Sequence, residues 1–446
     1  MAKQLFGTDG IRGVAGEYPL DPATVHAFGM ALGSDLIRMA ADAEVVIGMD
    51  TRESGPWIAA QVAGGLARRG VRVRSAGVIT TPGIAYLTRT NSFTAGVMIS
   101  ASHNEYRDNG IKVFGHSGFK LPDAEEHAVE QEIFRLQDAG VEPRESAPAP
   151  DAGLDRQYLD YLASTVSDSF DGMRIVVDCG NGGAWQLAPA LFRRLSAEVK
   201  AIFSEPNGRN INLGCGALHV EPLRAAVLEN DCDLGVAFDG DADRAIFVAR
   251  GGRILDGDAV MLIAARALKA AGRLDGNMVV ATVMSNLGLE KALEREGIRL
   301  LRTPVGDKYV LEEMVRVGAV LGGEQSGHVI FRQCATTGDG LLTALRILEI
   351  SRKTGAGLEE LTAGMQIYPQ RLKNVRVREK KTLTELPAVA REIEACERAF
   401  GAAGRVLVRF SGTEPLARVM VEGPDLARVD EFTDRIAQAI QNDIGA

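Results

Sequence analysis

The 446-residue chain is 46% hydrophobic and 24% charged, with a formal charge of −9 from 59 acidic and 50 basic residues. That length supports several packed cores, and the acidic balance argues against a nucleic-acid binder, whose affinity rests on clustered Lys and Arg. Five widely spaced cysteines disfavour a disulfide framework or zinc site, the start MAKQLFGTDGIRG lacks a secretory apolar core, and no run suits a membrane span, so a cytoplasmic protein is expected.

In chain order, the opening Gly7-Thr8-Asp9-Gly10-Ile11-Arg12-Gly13 is dense in glycine and polar groups. It reads either as a flexible turn or as the source of Arg12 as a phosphate clamp. Apolar runs at 45–48, 71–78 and 95–99 follow, separated by helix-like stretches such as 57–69. The pattern recurs at 173–177, 198–203 and 233–238, with a helical segment at 186–195, and a third time at 278–283, 298–302 and 319–321. Short β-branched runs alternating with amphipathic stretches predict βαβ units and mainly parallel sheets. The Pro- and Ala-rich stretch 142–154 reads as a linker, with further boundaries near 251–257 and 368–372. The remainder alternates strand-like 374–378, helical 386–400, strand-like 405–408 and 417–422, and a final helix 425–440, an α+β pattern. Four domains result: 1–150, 155–253, 254–367 and 370–446.

Each third strand runs into a dense polar loop, and ligands of open α/β sheets bind beyond the carboxyl ends of strands. Three such loops can converge on one cleft. In the first, Ser102 of Ser100-Ala101-Ser102-His103-Asn104 reads as an exposed nucleophile or as part of a capping turn. A D-N-G turn signal at Asp108-Asn109-Gly110 could return Lys112 toward the serine as a proton carrier, or leave it an ordinary surface lysine. In the second, Asp239, Asp241 and Asp243 stand at alternate positions, a pattern that either wraps Mg²⁺ in hard oxygen ligands or forms a solvated acidic turn. In the third, Glu324 and Ser326 suit sugar hydroxyls, and His328 could shuttle a proton or be structural. Near the C-terminus, Arg409, Ser411, Gly412 and Thr413, with Arg418 nearby, read as a phosphate cradle or as a plain hairpin connection. No Walker A or dinucleotide glycine spacing is present.

GTDGIRG, SASHN, DGDADR, GEQSGH and SGTEP occur in the order seen in the α-D-phosphohexomutase superfamily, which the chain resembles over nearly its whole length. The resemblance implies three similar α/β mixed-sheet domains plus a C-terminal α+β domain around one central cleft. It implies phosphorylation of Ser102, with Asp239, Asp241 and Asp243 holding Mg²⁺ beside it. Lys112 and His328 match proton-transfer residues with Arg12 nearby, Glu324 and Ser326 the sugar-hydroxyl loop, and Arg409, Ser411, Gly412 and Thr413 the last domain's phosphate loop. Gln325 and the TGDGLLTAL stretch resemble the members acting on glucosamine phosphate. The implied activity is interconversion of glucosamine 6-phosphate and glucosamine 1-phosphate through a bisphosphate, supplying amino-sugar nucleotides and cell-wall precursors. Rivals are glucose or mannose phosphates on the same machinery, a non-catalytic sugar-phosphate sensor, or a metal-dependent phosphatase. The expected partners are sugar phosphates, with no nucleic acid and no membrane, and a homodimer is a possible assembly. Glu105 replaces the proline usual in the serine loop, and Phe410 stands where relatives carry smaller or polar residues.

Overall fold

The structure, a computed structural model, describes residues 4–7, 9–411 and 415–446. It divides into two compact units, residues 1–284 with 298–363, and residues 285–297 with 364–446.

Among the described residues, the first unit holds three sheets. The first is built from β1 (Phe6–Gly7), β2 (Gly10–Val14), β3 (Glu44–Met49), β4 (Arg72–Val78), β5 (Ala95–Ile99) and β6 (Asp108–Gly115), in the order β1-β2-β6-β5-β3-β4. The second takes β7 (Arg174–Asp178), β8 (Glu198–Ile202), β9 (Leu234–Phe238), β10 (Ala245–Ala249) and β11 (Ile254–Leu255), in the order β11-β10-β9-β7-β8. The third takes β12 (Met278–Thr282), β13 (Arg299–Thr303), β14 (Leu321–Gly323) and β15 (Val329–Phe331), in the order β13-β12-β14-β15.

One block recurs in all three. Its first strand lies parallel between its second and third, and the third meets an antiparallel return strand. The parallel strands fall on the apolar runs because helices cover both faces of such sheets; β5 and β9 are buried at every residue. The antiparallel return strands β6, β10 and β15 make all three sheets mixed, as the family resemblance implies, and only the third stays mainly parallel. They also overturn the D-N-G turn. Asp108, Asn109 and Gly110 open β6 and pair with Val14, Gly13 and Arg12, while the chain reverses earlier, between β5 and β6. Lys112 still returns beside the serine loop, opposite Met98 of β5.

In the first block, Val45, Ile47, Val97 and Ile99 share a core with Leu32, Ile58, Leu66 and Ile133 of the covering helices. The stretch 142–154 is more ordered than a linker. Ser146 N–H donates to the Ala60 carbonyl, Pro150 bridges Ser75, and the Asp151 carboxylate caps the helix Ala152–Ser164. An acidic N-cap turned a Pro/Ala-rich tract into a helix start.

The second unit is an antiparallel sheet of β16 (Gln370–Arg376), β17 (Arg405–Phe410) and β18 (Leu416–Glu422), with β18 central. Val419, Val421, Val389, Phe432 and Ile436 form its core with the helices Pro387–Phe400 and Leu426–Ile444. Tyr368 donates its N–H to Asn286 Oδ1 and accepts from Asn286 Nδ2. The segment 368–372 therefore lies within this unit. The chain passes between the two units at three places, after residues 284, 297 and 363.

Candidate active site

The loop between β5 and β6 carries Ser102, buried and in the left-handed backbone region at φ 53°. A serine pays for that conformation, so the surroundings must hold it. Ser102 N–H donates to Ser100 Oγ at 2.9 Å, and Ser100 Oγ donates to Asp50 Oδ2 at 2.6 Å. Asp50 is paired at 3.0 Å with Arg52, and both side chains are fully buried. Arg52 Nη2 donates to the carbonyls of Ser102 (3.0 Å) and Asn104 (2.9 Å), and Nη1 to that of Glu105. Asn212, from the second block, donates to the same Ser102 and Asn104 carbonyls at 2.9 and 3.1 Å. The Glu105 side chain itself is exposed.

The loop between β9 and β10 meets the serine directly. Ser102 Oγ donates to Asp239 Oδ2 at 2.6 Å. This approach needs Gly240, since a Cβ there would stand 2.4 Å from the Ser102 carbonyl oxygen. Asp239, Asp241 and Asp243 are buried, each with a carboxylate oxygen within 4.8 Å of the others. Asp241 Oδ1 and Asp243 Oδ1 have no hydrogen-bond partner among the described residues. Burial and the neighbouring Asp243 and Asp241 charges push Asp239 well above the usual carboxylate range. Burial also works against the Asp243 charge, but Lys112 and His328 outweigh it and hold Asp243 below that range. Three convergent carboxylates, two with orphaned oxygens, fit a hard divalent cation that keeps all three ionised.

Lys112, on β6, is buried with its Nζ 2.8 Å from Asp241, 3.0 Å from Asp9 and 3.7 Å from Asp243. Burial disfavours its charge, yet Asp241, Asp9 and Asp243 outweigh that and raise its pKa. The side chain is thus held as an ammonium that donates hydrogen bonds to the surrounding carboxylates. His328 Nδ1 lies 3.5 Å from Asp243, and its Nε2 accepts the Gly338 N–H at 3.0 Å. Burial lowers the imidazole pKa, but Asp243, Asp307 and Glu324 lift it to about 9. An N–H aimed at Nε2 favours the neutral ring instead. In either form the Nδ1 proton faces Asp243, and the near carboxylates make the upward shift the dominant direction.

A cavity of about 410 Å³ opens over these groups, lined by Asp9, Arg12, His103, Asp243, Arg244, Gly306, Asp307, Glu324 and His328. Arg12, on β2, pairs with Asp9. Glu324 Oε1 accepts the Gly306 N–H at 3.2 Å, and burial raises its pKa. Ser326 is exposed and is not part of the cavity wall. Burial, then Arg244 and Arg12, lower the His103 pKa to about 4, so a neutral ring sits 3.3 Å from Ser102 Oγ. In the second unit, Arg409 and Arg418 stand opposite each other on β17 and β18. Partial burial and the Arg418 charge lower the Arg409 pKa. Ser411 N–H donates to the Leu416 carbonyl, and Lys380 donates to the Ser411 carbonyl. Gly412 and Thr413 lie outside the described residues.

Family models for phosphoglucomutase/phosphomannomutase match four successive stretches. Alpha/beta/alpha domains I, II and III match residues 3–139, 156–252 and 256–368, and the C-terminal domain matches 372–439. The chain belongs to the phosphoglucomutase/phosphomannomutase family.

Among relatives of the family, a phosphoglucosamine mutase of Solibacter usitatus is 67% identical over 445 residues, covering 100% of each chain. One of Koribacter versatilis is 52% identical, covering 99% of this chain and 98% of the other. A solved phosphoglucomutase/phosphomannomutase family protein of Burkholderia thailandensis aligns with a TM-score of 0.79 at 24% identity, over 99% of both chains. Aspergillus fumigatus N-acetylphosphoglucosamine mutase, solved with GlcNAc-6P and magnesium, aligns at 0.67 and 19% identity, over 98% of this chain and 96% of that one. At those identities the structural likeness speaks for the fold alone.

The structure brings together Ser102, the aspartate triplet, Lys112, His328, Arg12 and Glu324 in one unit. Sequence reasoning missed Asp50, Arg52, Asn212, His103, Asp9, Lys120, Arg244 and Asp307. Asp9, His103 and Arg244 lie inside the polar motifs already singled out, so their signal was available. Asp50 and Arg52 follow β3, and nothing in their local sequence marks them as supports for a serine some fifty residues later.

Proposed function

We propose that the chain interconverts glucosamine 6-phosphate and glucosamine 1-phosphate through a phosphorylated Ser102. The observation that carries this is the buried Ser102 hydroxyl at 2.6 Å from Asp239, set in a left-handed turn against an acidic triplet from another sheet. The full-length likeness to enzymes named phosphoglucosamine mutase supports the choice of substrate.

Asp239, Asp241 and Asp243 would hold Mg²⁺ with the Ser102 phosphate. The ion supplies charge neutralisation, since a phosphoserine brings roughly −1.5 to −2 charges beside three carboxylates. Phosphoryl transfer needs in-line placement more than covalent help, so the remaining work is positioning. Ser102 gives its phosphoryl group to the O1 hydroxyl of glucosamine 6-phosphate and takes the 6-phosphoryl group of the resulting bisphosphate. The O–P bond at the serine breaks as the bond to the sugar oxygen forms, and the proton lost by the sugar hydroxyl is balanced by the one the departing Ser102 oxygen takes up. Lys112 and His328, both held against Asp243 of the triplet that meets the serine, are assigned to proton transfer, and Arg12 to steadying phosphate oxygens. Glu324 and Ser326 are assigned to sugar hydroxyls. Arg409, Ser411, Gly412, Thr413 and Arg418 are assigned to the substrate phosphate that is not reacting. The domains so assigned are 1–150 for the phosphoserine loop, 155–253 for the metal, 254–367 for the sugar and 370–446 for phosphate.

Intact-mass and peptide mass spectrometry test the reading. A phosphate on Ser102 that glucosamine phosphate discharges is expected, and Ser102→Ala is expected to keep the fold and lose turnover. Near wild-type activity in Ser102→Ala would refute it, and kcat/KM ratios across glucosamine, glucose and mannose phosphates test the substrate.

A further inference from the structure

Lys120 follows β6, with only 15% of its side chain exposed. Its Nζ donates to Asp9 Oδ1 and to Asp307 Oδ2. Asp9 belongs to the turn between β1 and β2, and Asp307 is the first residue of the helix Asp307–Val317 in the third block. A single ammonium thus ties together two segments that are 298 positions apart in sequence, from Asp9 to Asp307, both lining one cavity.

The ties continue on both sides. Asp9 Oδ2 lies 3.0 Å from Lys112 Nζ, and Asp307 Oδ2 lies 3.8 Å from His328 Nε2. Asp243 closes the circuit, 3.7 Å from Lys112 and 3.5 Å from His328. Lys112, Asp243, His328, Asp307, Lys120 and Asp9 therefore form a closed ring in which basic and acidic side chains alternate. Burial disfavours the Lys120 charge, but Asp307 and Asp9 outweigh it and raise its pKa, so the ammonium persists. Alternation lets each carboxylate face two basic groups, which offsets the cost of desolvating so many ionisable groups at once.

We propose that Lys120 is a positioning residue for phosphoryl transfer, holding Asp9 and Asp307 so that these in turn fix Lys112 and His328 against Asp243, whose triplet meets the reacting serine. The inference rests on the reading of Lys112 and His328 given above. Among the described residues, Lys120 bonds Asp9 and Asp307 and neither the serine nor the aspartate triplet, so its effect travels through the two carboxylates. A lysine fits the place because its three donors on a flexible stem can serve two acceptors at an angle, which the planar fork of arginine matches less well.

The test uses the full-length phosphorylated enzyme with magnesium and glucosamine 6-phosphate. Lys120→Met keeps length and removes charge, and it is expected to lower kcat by about tenfold or more, while KM changes within about threefold. Lys120→Arg should recover part of the lost kcat. Asp307→Asn removes the partner instead and should lower kcat by a similar factor, and the double variant should be no worse than the worse single one, because both break the same tie. Histidine ring ¹⁵N spectra, with His328 assigned by substitution, should show the His328 signal moved in Lys120→Met while His219 stays put. If Lys120→Met does not fold, Lys120→Arg and Asp307→Asn carry the same readouts. A wild-type enzyme that turns over beside a Lys120→Met enzyme of equal kcat, or additive losses in the double variant, overturns the ring. An inactive phosphorylated wild type would instead sink the functional reading itself.

Discussion

Arg52→Met is the sharpest probe of how the serine loop is held. The Asp50–Arg52 pair has no side-chain exposure on either partner, so the substitution leaves a carboxylate buried without its cation. Removing one member of a buried pair costs about 3–5 kcal/mol, against a typical domain stability of ~5–15 kcal/mol. The carbonyl contacts add little to that figure. Ser102 and Asn104 keep the Asn212 donor, and Glu105 keeps the Asp108 N–H at 3.1 Å. The loss is therefore mostly the stranded charge, and pairing Arg52→Met with Asp50→Asn should return most of it.

The pH dependence has a definite sign. Burial, partly countered by Arg52, already raises the Asp50 pKa above the usual carboxylate value. Losing Arg52 raises it further, so the folded variant binds a proton that the unfolded chain releases near pH ~4. Its deficit should be full at neutral pH and shrink as pH falls through the raised folded value toward about 4. Urea melts of both enzymes across pH, with kcat/KM measured in parallel, read the effect. A deficit under about 1 kcal/mol at neutral pH, flat on acidification, would mean that the pair supports nothing.

Three further outcomes are expected. Gly64→Ala places a Cβ 1.7 Å from the Arg144 carbonyl, so the helix Gly55–Arg68 and the 142–154 segment must part, costing about 1–3 kcal/mol by overpacking; an unchanged melting midpoint would show that segment to be loosely held. Burial lifts the Asp178 carboxyl to about 6 despite N–H donors from Gly180 and Gly216. The folded state then holds the proton more tightly than the unfolded chain, so stability falls as pH climbs through about 4 to 6, and Asp178→Asn should flatten that slope in thermal melts. Chelation should abolish turnover and Mg²⁺ restore it, with the ion also raising the melting temperature by binding only the folded triplet; calorimetry that detects no Mg²⁺ binding would contradict the assignment of Asp239, Asp241 and Asp243.

The central parallel strands β3, β5, β7, β9, β12 and β14 were legible in the sequence because strands buried on both faces must be largely apolar, and the polar loops that follow the third strands stand out by contrast. So did the composition of the site: a serine loop, an acidic triplet and a histidine loop at the ends of third strands. The return strands were not legible. The β6 sequence DNGIKVFG carries a turn signal and a lysine within a strand, and only pairing with β2 and β5 decides its conformation. Tertiary structure alone also decided the chemistry's setting. Ser102 meets Asp239 across 137 residues, and Lys120 ties Asp9 to Asp307. The charge state of Lys112 follows from burial among three carboxylates drawn from distant loops. Local sequence sets which groups a loop can offer, but Coulomb energies and desolvation depend on distance and burial in space, and those exist only once the chain is folded.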